Sequence, residues 1–269
     1  MPNKLFDVSG KVVVITGVSG QLGNQYASTF LQNNAMVVGL DLNTNAHTAA
    51  LEKEFDHRFL FIAVDITNKS ALEKALAQTQ SHFGTPNVLI NNAAIDFPPG
   101  ASNSENGRFE DYPEASWNKV MNVNVNGTFL VTQVFGDAMA RNLNGSIINI
   151  SSIYGVVSPD QSIYEYKRKG GEVFFKPVSY SVSKSALMNF TKYLAVYWAK
   201  AKVRVNTLVI AGVANNQDNE FLDAYTKRIP IGRMAEKDEY NGAVLFLASE
   251  ASKYMTGAEL IIDGGWTAI

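Results

Sequence analysis

Short runs of valine, isoleucine and leucine recur along the chain, separated by longer stretches whose apolar residues return every three or four positions. The short runs predict strands at residues 12–16, 36–41, 60–64, 88–91, 146–151, 204–208 and 260–262. Most show little polar alternation, as expected of strands buried on both faces of a parallel sheet. The longer stretches predict helices over residues 22–32, 70–82, 115–141, 179–200, 220–228 and 239–249. Strand–helix alternation along the whole chain predicts an α/β fold: one doubly wound, Rossmann-like parallel sheet with helices on both faces. No repeat or Pro/Gly/Ser-rich linker divides it, so a single domain is expected over residues 1–269. Ligands of such sheets bind beyond the carboxyl ends of the strands, which makes the residues after each strand the ones to read.

Composition narrows the function. Hydrophobic residues make up 46% and charged residues 18%, enough for a large core, and the net charge of −2 comes without a long basic run. Neither nucleic acid nor an anionic membrane is therefore an expected partner. The absence of cysteine excludes disulfides, thiolate metal sites and a cysteine nucleophile. His47, His57 and His82 stand at no metal-ligand spacing, so no metal is expected. The polar first residues do not resemble a signal peptide and no apolar run reaches membrane-spanning length, so the expected location is the cytoplasm.

The first strand runs into Thr16-Gly17-Val18-Ser19-Gly20-Gln21-Leu22-Gly23 and then a helix. Glycines at that turn let backbone N–H groups of Ser19, Gln21 and Leu22 approach a pyrophosphate at the helix N-terminus. The second strand ends at Asp41, 24 residues after Gly17. A carboxylate there accepts hydrogen bonds from both adenosine ribose hydroxyls and repels a 2′-phosphate, which points to NAD; the plainer role is a helix N-cap. Asp65 and Ile66 follow the third strand, where a carboxylate reaches the adenine amino group. Asn92, Ala93 and Ala94 follow the fourth, and their small size leaves room for the cofactor.

In Tyr180-Ser181-Val182-Ser183-Lys184, a tyrosine and a lysine four residues apart share one face of a helix start. A free phenol titrates near about 10, and a neighbouring ammonium draws it down toward the range of a general acid/base. Alone the spacing carries little weight. Here it follows a strand ending Asn149-Ile150-Ser151-Ser152 and, earlier, Asn124-Val125-Asn126-Gly127 in a long helix. With these residues together the chain resembles the compact, single-domain branch of the short-chain dehydrogenase/reductase family, from Val12 to Ile262-Asp263-Gly264-Gly265. The resemblance implies that Tyr180 moves the hydroxyl proton and that Lys184 lowers its pKa and binds the nicotinamide ribose. By the same resemblance Ser152, rather than Ser151, is expected to hold the substrate oxygen and Asn124 to anchor a water of the proton relay. It further implies a homo-oligomer, a dimer or tetramer: the two long helices pair across one interface, and residues 257–269 complete a tetramer.

Four departures mark this chain. The middle glycine falls at Gly20 instead of position 21, a spacing similar to longer nucleotide-sugar epimerases and dehydratases that retain NAD. Those relatives carry an extra substrate domain, which is not expected in this chain. Ala94 replaces a glycine. Ile210-Ala211 replaces the Pro-Gly turn that cradles nicotinamide, leaving Val213 to offer its N–H and Asn215 its side-chain amide. Finally, 28 residues separate Ser152 from Tyr180, and the additional segment, residues 158–177, is rich in aromatic and basic groups. It is expected beside the active-site mouth, either as a surface loop or as a wall for a sugar or sugar acid. Residues 95–113 and 212–234 are further candidate walls, and the segments together resemble a subgroup linked to bacterial surface-glycan and flagellin sugars. Three functions follow: an NAD-dependent oxidoreductase of a small-molecule alcohol or ketone, an epimerase/dehydratase, and a dinucleotide-binding protein without catalysis.

Overall fold

A computed structural model describes residues 4–97 and 106–269. Seven parallel strands form one sheet in the order β3-β2-β1-β4-β5-β6-β7. They are β1 Val12–Thr16, β2 Met36–Asp41, β3 Phe59–Ala63, β4 Val88–Asn91, β5 Gly145–Ser152, β6 Val203–Ile210 and β7 Glu259–Ile262. The chain winds outward from β1 to β3, returns, and winds the other way from β4. The crevice between β1 and β4 is thus the switch point, where neither crossover helix covers the strand ends.

The helices are α1 Gln21–Gln32, α2 Ala46–Glu54, α3 Lys69–Phe83, α4 (114–141), α5 Ile153–Val156, α6 Glu165–Lys169, α7 Val178–Tyr197, α8 Asn219–Thr226 and α9 Asn241–Ala248. Alternate strand residues feed two cores. Val13, Ile15, Val37, Ile90 and Ile148 pack against Tyr26, Phe30 and Leu31 of α1 and Val244 and Leu247 of α9. Val14, Val38, Leu89, Ile147 and Val205 face Leu72 of α3, Phe135 and Met139 of α4, and Leu194 of α7. That two-sided burial is why the strands carry unbroken apolar runs.

A buried polar chain pins the two long helices to the sheet. Asn91 Nδ2 donates to Asn149 Oδ1 (2.8 Å) and Thr132 Oγ1 (2.9 Å). Asn149 Nδ2 donates to Thr191 Oγ1 (2.8 Å), which lies 2.8 Å from Thr207 Oγ1. Two turns of α4, Asn122–Gly127 and Thr132–Gly136, are π-helical, a widening that the 3.6-residue pattern gives no sign of.

Candidate active site

Backbone geometry at the end of β1 shows why glycine stands where it does. Gly17 has φ +67°, and a Cβ there would lie 2.8 Å from Ala93 Cα; a Cβ on Gly23 would lie 2.1 Å from the Gly17 carbonyl oxygen. The turn therefore packs against both β4's continuation and its own helix. Gly20, at the N-cap of α1, has no side chain to cap the first turn, whose N–H groups stay available to an anion. Asn92 braces the turn from the other side, its Nδ2 donating to Thr16 O and Gly17 O at 3.1 Å each.

Asp41 closes the far end. Its carboxylate accepts from Ser19 N (2.9 Å) and Leu42 N (2.7 Å), so it is fixed at the floor of a cleft of about 730 Å³. The cleft is lined by Gly17, Ser19, Gln21, Leu22, Asp41, Asp65, Ile66, Asn92, Ala93 and Ala94, among others. Gly23 lies just behind it. Asp65 Oδ1 accepts from Thr67 N (2.8 Å) and Thr67 Oγ1 (2.7 Å), while buried Ile66 packs on Gly127 of α4. A glycine turn with open N–H groups and a carboxylate at the end of β2 fits a nicotinamide dinucleotide.

At the carboxyl end of β5 the two serines diverge. Ser151 is buried and donates to Lys184 O (2.9 Å), which spends its hydroxyl on helix packing. Ser152 caps α5, accepting from Tyr154 N (3.2 Å), and also hydrogen-bonds the Tyr180 side chain. Tyr180 and Lys184 lie one turn apart on α7, with Lys184 Nζ 5.7 Å from the Tyr180 ring centroid and donating to Ile150 O (2.9 Å). Burial pushes Lys184 down to about 8, opposed by the charge of Asp96. Burial also pushes the Tyr180 phenol up; Asp96 adds to this and the Ser152 hydrogen bond opposes it. The sequence expects Lys184 to draw the phenol down; in the protein alone burial is the largest influence and moves it up.

Asn124 occupies the first π-turn of α4. Its amide clamps Ile95 in both directions, accepting from Ile95 N (2.8 Å) and donating to Ile95 O (2.9 Å), and donates to Ser183 Oγ (3.0 Å). Its backbone carbonyl accepts from Thr128 Oγ1 (2.8 Å).

The altered turn after β6 is held by tyrosines the sequence did not single out. Gly212 N donates to Tyr225 Oη (2.8 Å) and Tyr240 Oη donates to Ala211 O (3.2 Å). Val213 pairs with Ala235, and Asn215 N donates to Gln217 Oε1 (2.7 Å). Gln21, at the displaced glycine position, reaches across the cleft to Ala214 O (2.9 Å). Tyr225, Tyr154, Tyr164, Phe174, Phe221 and Trp266 surround Tyr180 in an aromatic wall. Tyr225 sits inside a predicted helix, whose period gave the only hint of it.

The segment 158–177 forms part of that wall. Tyr164 packs on Phe174 and Phe221 at ring separations of 5.1 and 5.8 Å, and Tyr166 Oη donates to Asp218 (2.9 Å). Arg228 pairs with Asp160. Arg168 donates to Gln161 O (2.7 Å) and Phe174 O (2.9 Å), and Lys176 reaches Asp96 beside Tyr180. Of the candidate wall 95–113, residues 98–105 lie outside the described residues.

The switch-point cleft and its glycine turn define a Rossmann-type dinucleotide-binding oxidoreductase. A family model described as enoyl-(acyl carrier protein) reductase matches residues 17–267. An NAD-dependent glycerol dehydrogenase of Listeria innocua is 31% identical over 98% of this chain and 97% of its own. The post-translational flagellin modification protein A of Campylobacter coli is 30% identical over 96% and 99%. A short-chain dehydrogenase of Leptospira borgpetersenii, solved with bound NAD+, superposes with a TM-score of 0.86 at 34% identity, covering 99% of this chain and 96% of that one. The chain belongs to the short-chain dehydrogenase/reductase family.

Proposed function

We propose that the protein is an NAD-dependent dehydrogenase of a secondary alcohol in a small polyol or sugar, working reversibly with the corresponding ketone. The observation that carries this is the convergence of Ser152, Tyr180 and Lys184 at the end of β5, beside a cleft whose far end is closed by Asp41. Bound NAD supplies the hydride acceptor or donor. Ser152 orients the substrate oxygen. In oxidation Tyr180 takes the hydroxyl proton as a phenolate, with Lys184 as its counter-cation; in reduction it returns that proton. Asn124 acts as a positioning residue that fixes Ile95 and, through Ser183, the start of α7. Val213 and Asn215 border the nicotinamide end, and Asp65 and Ile66 the adenine end. The resemblance of the chain to a glycerol dehydrogenase and a structure with bound NAD+ supports this reading.

The same reading has the enzyme work as a homo-oligomer. Phe129 of α4 and Tyr193, Val196 and Tyr197 of α7 are exposed on adjoining helices, an apolar face suited to a second copy.

Absorbance of NADH followed with a panel of polyols, secondary alcohols and ketones tests the function. Tyr180→Phe is expected to lose at least about a hundredfold in turnover, in keeping with removal of a general acid/base, while NADH affinity is retained. A variant that keeps its activity removes Tyr180 from the chemistry. NADH binding without net turnover of any panel member would instead favour a dinucleotide-binding protein or an enzyme that recycles its cofactor internally.

A further inference from the structure

Asp96 and Lys176 meet across 80 residues of sequence and form an ion pair directly against Tyr180. Lys176 Nζ lies 5.0 Å from the Tyr180 ring centroid and 5.8 Å from that of Tyr154. Its side chain is only 14% exposed. The pair is held from both sides. Asn124 clamps the backbone of Ile95, next to Asp96, while Gln161 accepts from Lys176 N (2.8 Å) and donates to Lys176 O (3.2 Å).

One half of the pair is unfinished. Asp96 Oδ2 accepts a hydrogen bond from Lys176 Nζ, but among the described residues Oδ1 is buried without a hydrogen-bond partner. Buried orphan acceptors are few in folded proteins, and this one lies beside the reacting tyrosine. Lys176 has three N–H donors, of which Asp96 uses one. An acceptor and a donor thus stand side by side, the complement of a single hydroxyl group.

The charge balance favours a neutral group there. The other cations of the segment are engaged: Lys167 with Glu172 (3.8 Å), Lys169 with Glu165 (3.5 Å), and Arg168 with two carbonyls. A carboxylate in this position would meet Asp96 while Lys176 is already paired.

We propose that Asp96 Oδ1 and the Lys176 ammonium receive the hydroxyl on the carbon next to the reacting carbinol, so that the enzyme selects neutral vicinal diols. This rests on the dehydrogenase reading above and assigns a residue pair to its substrate choice. The hydroxyl donates to Asp96 Oδ1 and accepts from Lys176, which fixes the neighbouring carbinol against Tyr180.

Three alcohols differing only at the neighbouring carbon test it: 2,3-butanediol, 2-butanol and lactate. In the wild type kcat/KM should fall in that order. Asp96→Ala should lower the ratio of diol to 2-butanol by about ten- to a hundredfold, the range for a hydrogen bond to a charged group. Asp96→Asn, which keeps an acceptor, should restore part of it. Titration with NAD+ reports whether each variant is folded; if Asp96→Ala is not, Lys176→Met carries the same test. An unchanged ratio, or lactate preferred to the diol, overturns the proposal. If the wild type oxidises none of the three, the dehydrogenase reading is decided by the wider panel above. The pair is then judged by whether the diol raises the melting temperature of the NAD+ complex and Asp96→Ala abolishes that rise; no rise overturns it too.

Discussion

Lys184 is 4% exposed and its ammonium rests on a backbone carbonyl, so its charge is held in a place with little water. Its pKa in the folded protein is near 8, against roughly 10.4 in an unfolded chain. Between those values the unfolded chain binds the extra proton, so on this account stability rises with pH from about 8 to about 10. Lys184→Met should therefore stabilise the cofactor-free protein at pH 7 by about 1–3 kcal/mol, with the gain fading by pH 10. Urea unfolding at both pH values checks this, and a gain independent of pH would contradict it. Above about 10 the raised phenol of Tyr180 works in the opposite sense, since the folded state then keeps its proton longer than the unfolded one. At the other end of the cleft, Asp41 spends one oxygen on Ser19 N and the other on Leu42 N, which aims the carboxylate rather than burying it. Asp41→Ala should weaken NAD+ binding by about tenfold, the value of a lost hydrogen bond to a charged group, and bring NADP+ affinity up toward it. Titration with both dinucleotides decides the matter, and an unmoved preference would leave Asp41 a turn residue.

Thr191 makes the buried polar chain a property of whole elements, because its hydroxyl joins β5 and β6 to α7. Thr191→Val leaves Asn149 Nδ2 without an acceptor and should cost about 1–3 kcal/mol in urea unfolding. A loss below about 0.5 kcal/mol would mean the network relaxes around the gap. Elements were legible in the sequence where burial is two-sided. The inner strands register in runs such as Val12-Val13-Val14-Ile15, which a parallel sheet with both faces covered favours, while the edge strands β3 and β7 keep apolar runs although only half-buried. Helix α2 was not read, since it buries only Thr48 and Leu51; its one clue was the Asn45–Thr48 capping box. The π-turns of α4 were likewise invisible, being a matter of backbone winding at residues 122–127 and 132–136. At the site, Tyr180, Lys184, Ser152 and the glycine turn stood out through local spacing. Asp96 and Tyr225 did not, because their roles arise from contacts between distant segments.

Across the molecule, the exposed apolar face of α4 and α7 should seal against a second copy. Val196 and Tyr197 are 81% and 67% exposed, and Tyr193 stacks on Tyr197 with ring centroids 6.0 Å apart. Sedimentation velocity is expected to show a dimer or tetramer, and Val196→Glu with Tyr197→Glu should shift it to monomer. A wild type that sediments as a monomer would exclude this face as an interface. Among the described residues no helix is long and apolar enough to cross a membrane. The segment 158–177 bridges the sheet's end and α8, and its hydrogen bonds close within the protein itself: Arg168 on Gln161 and Phe174, Gln161 on Lys176, Tyr166 on Asp218. Ordering a backbone costs on the order of 1–2 kcal/mol per residue. In this wall the cost is met once, at folding, and not again at each turnover. On the dehydrogenase reading proposed above, that matters for a small polyol, whose few heavy atoms bring little binding free energy of their own. A flexible cover would consume most of it; a preformed one leaves it for holding the carbinol in line with Tyr180.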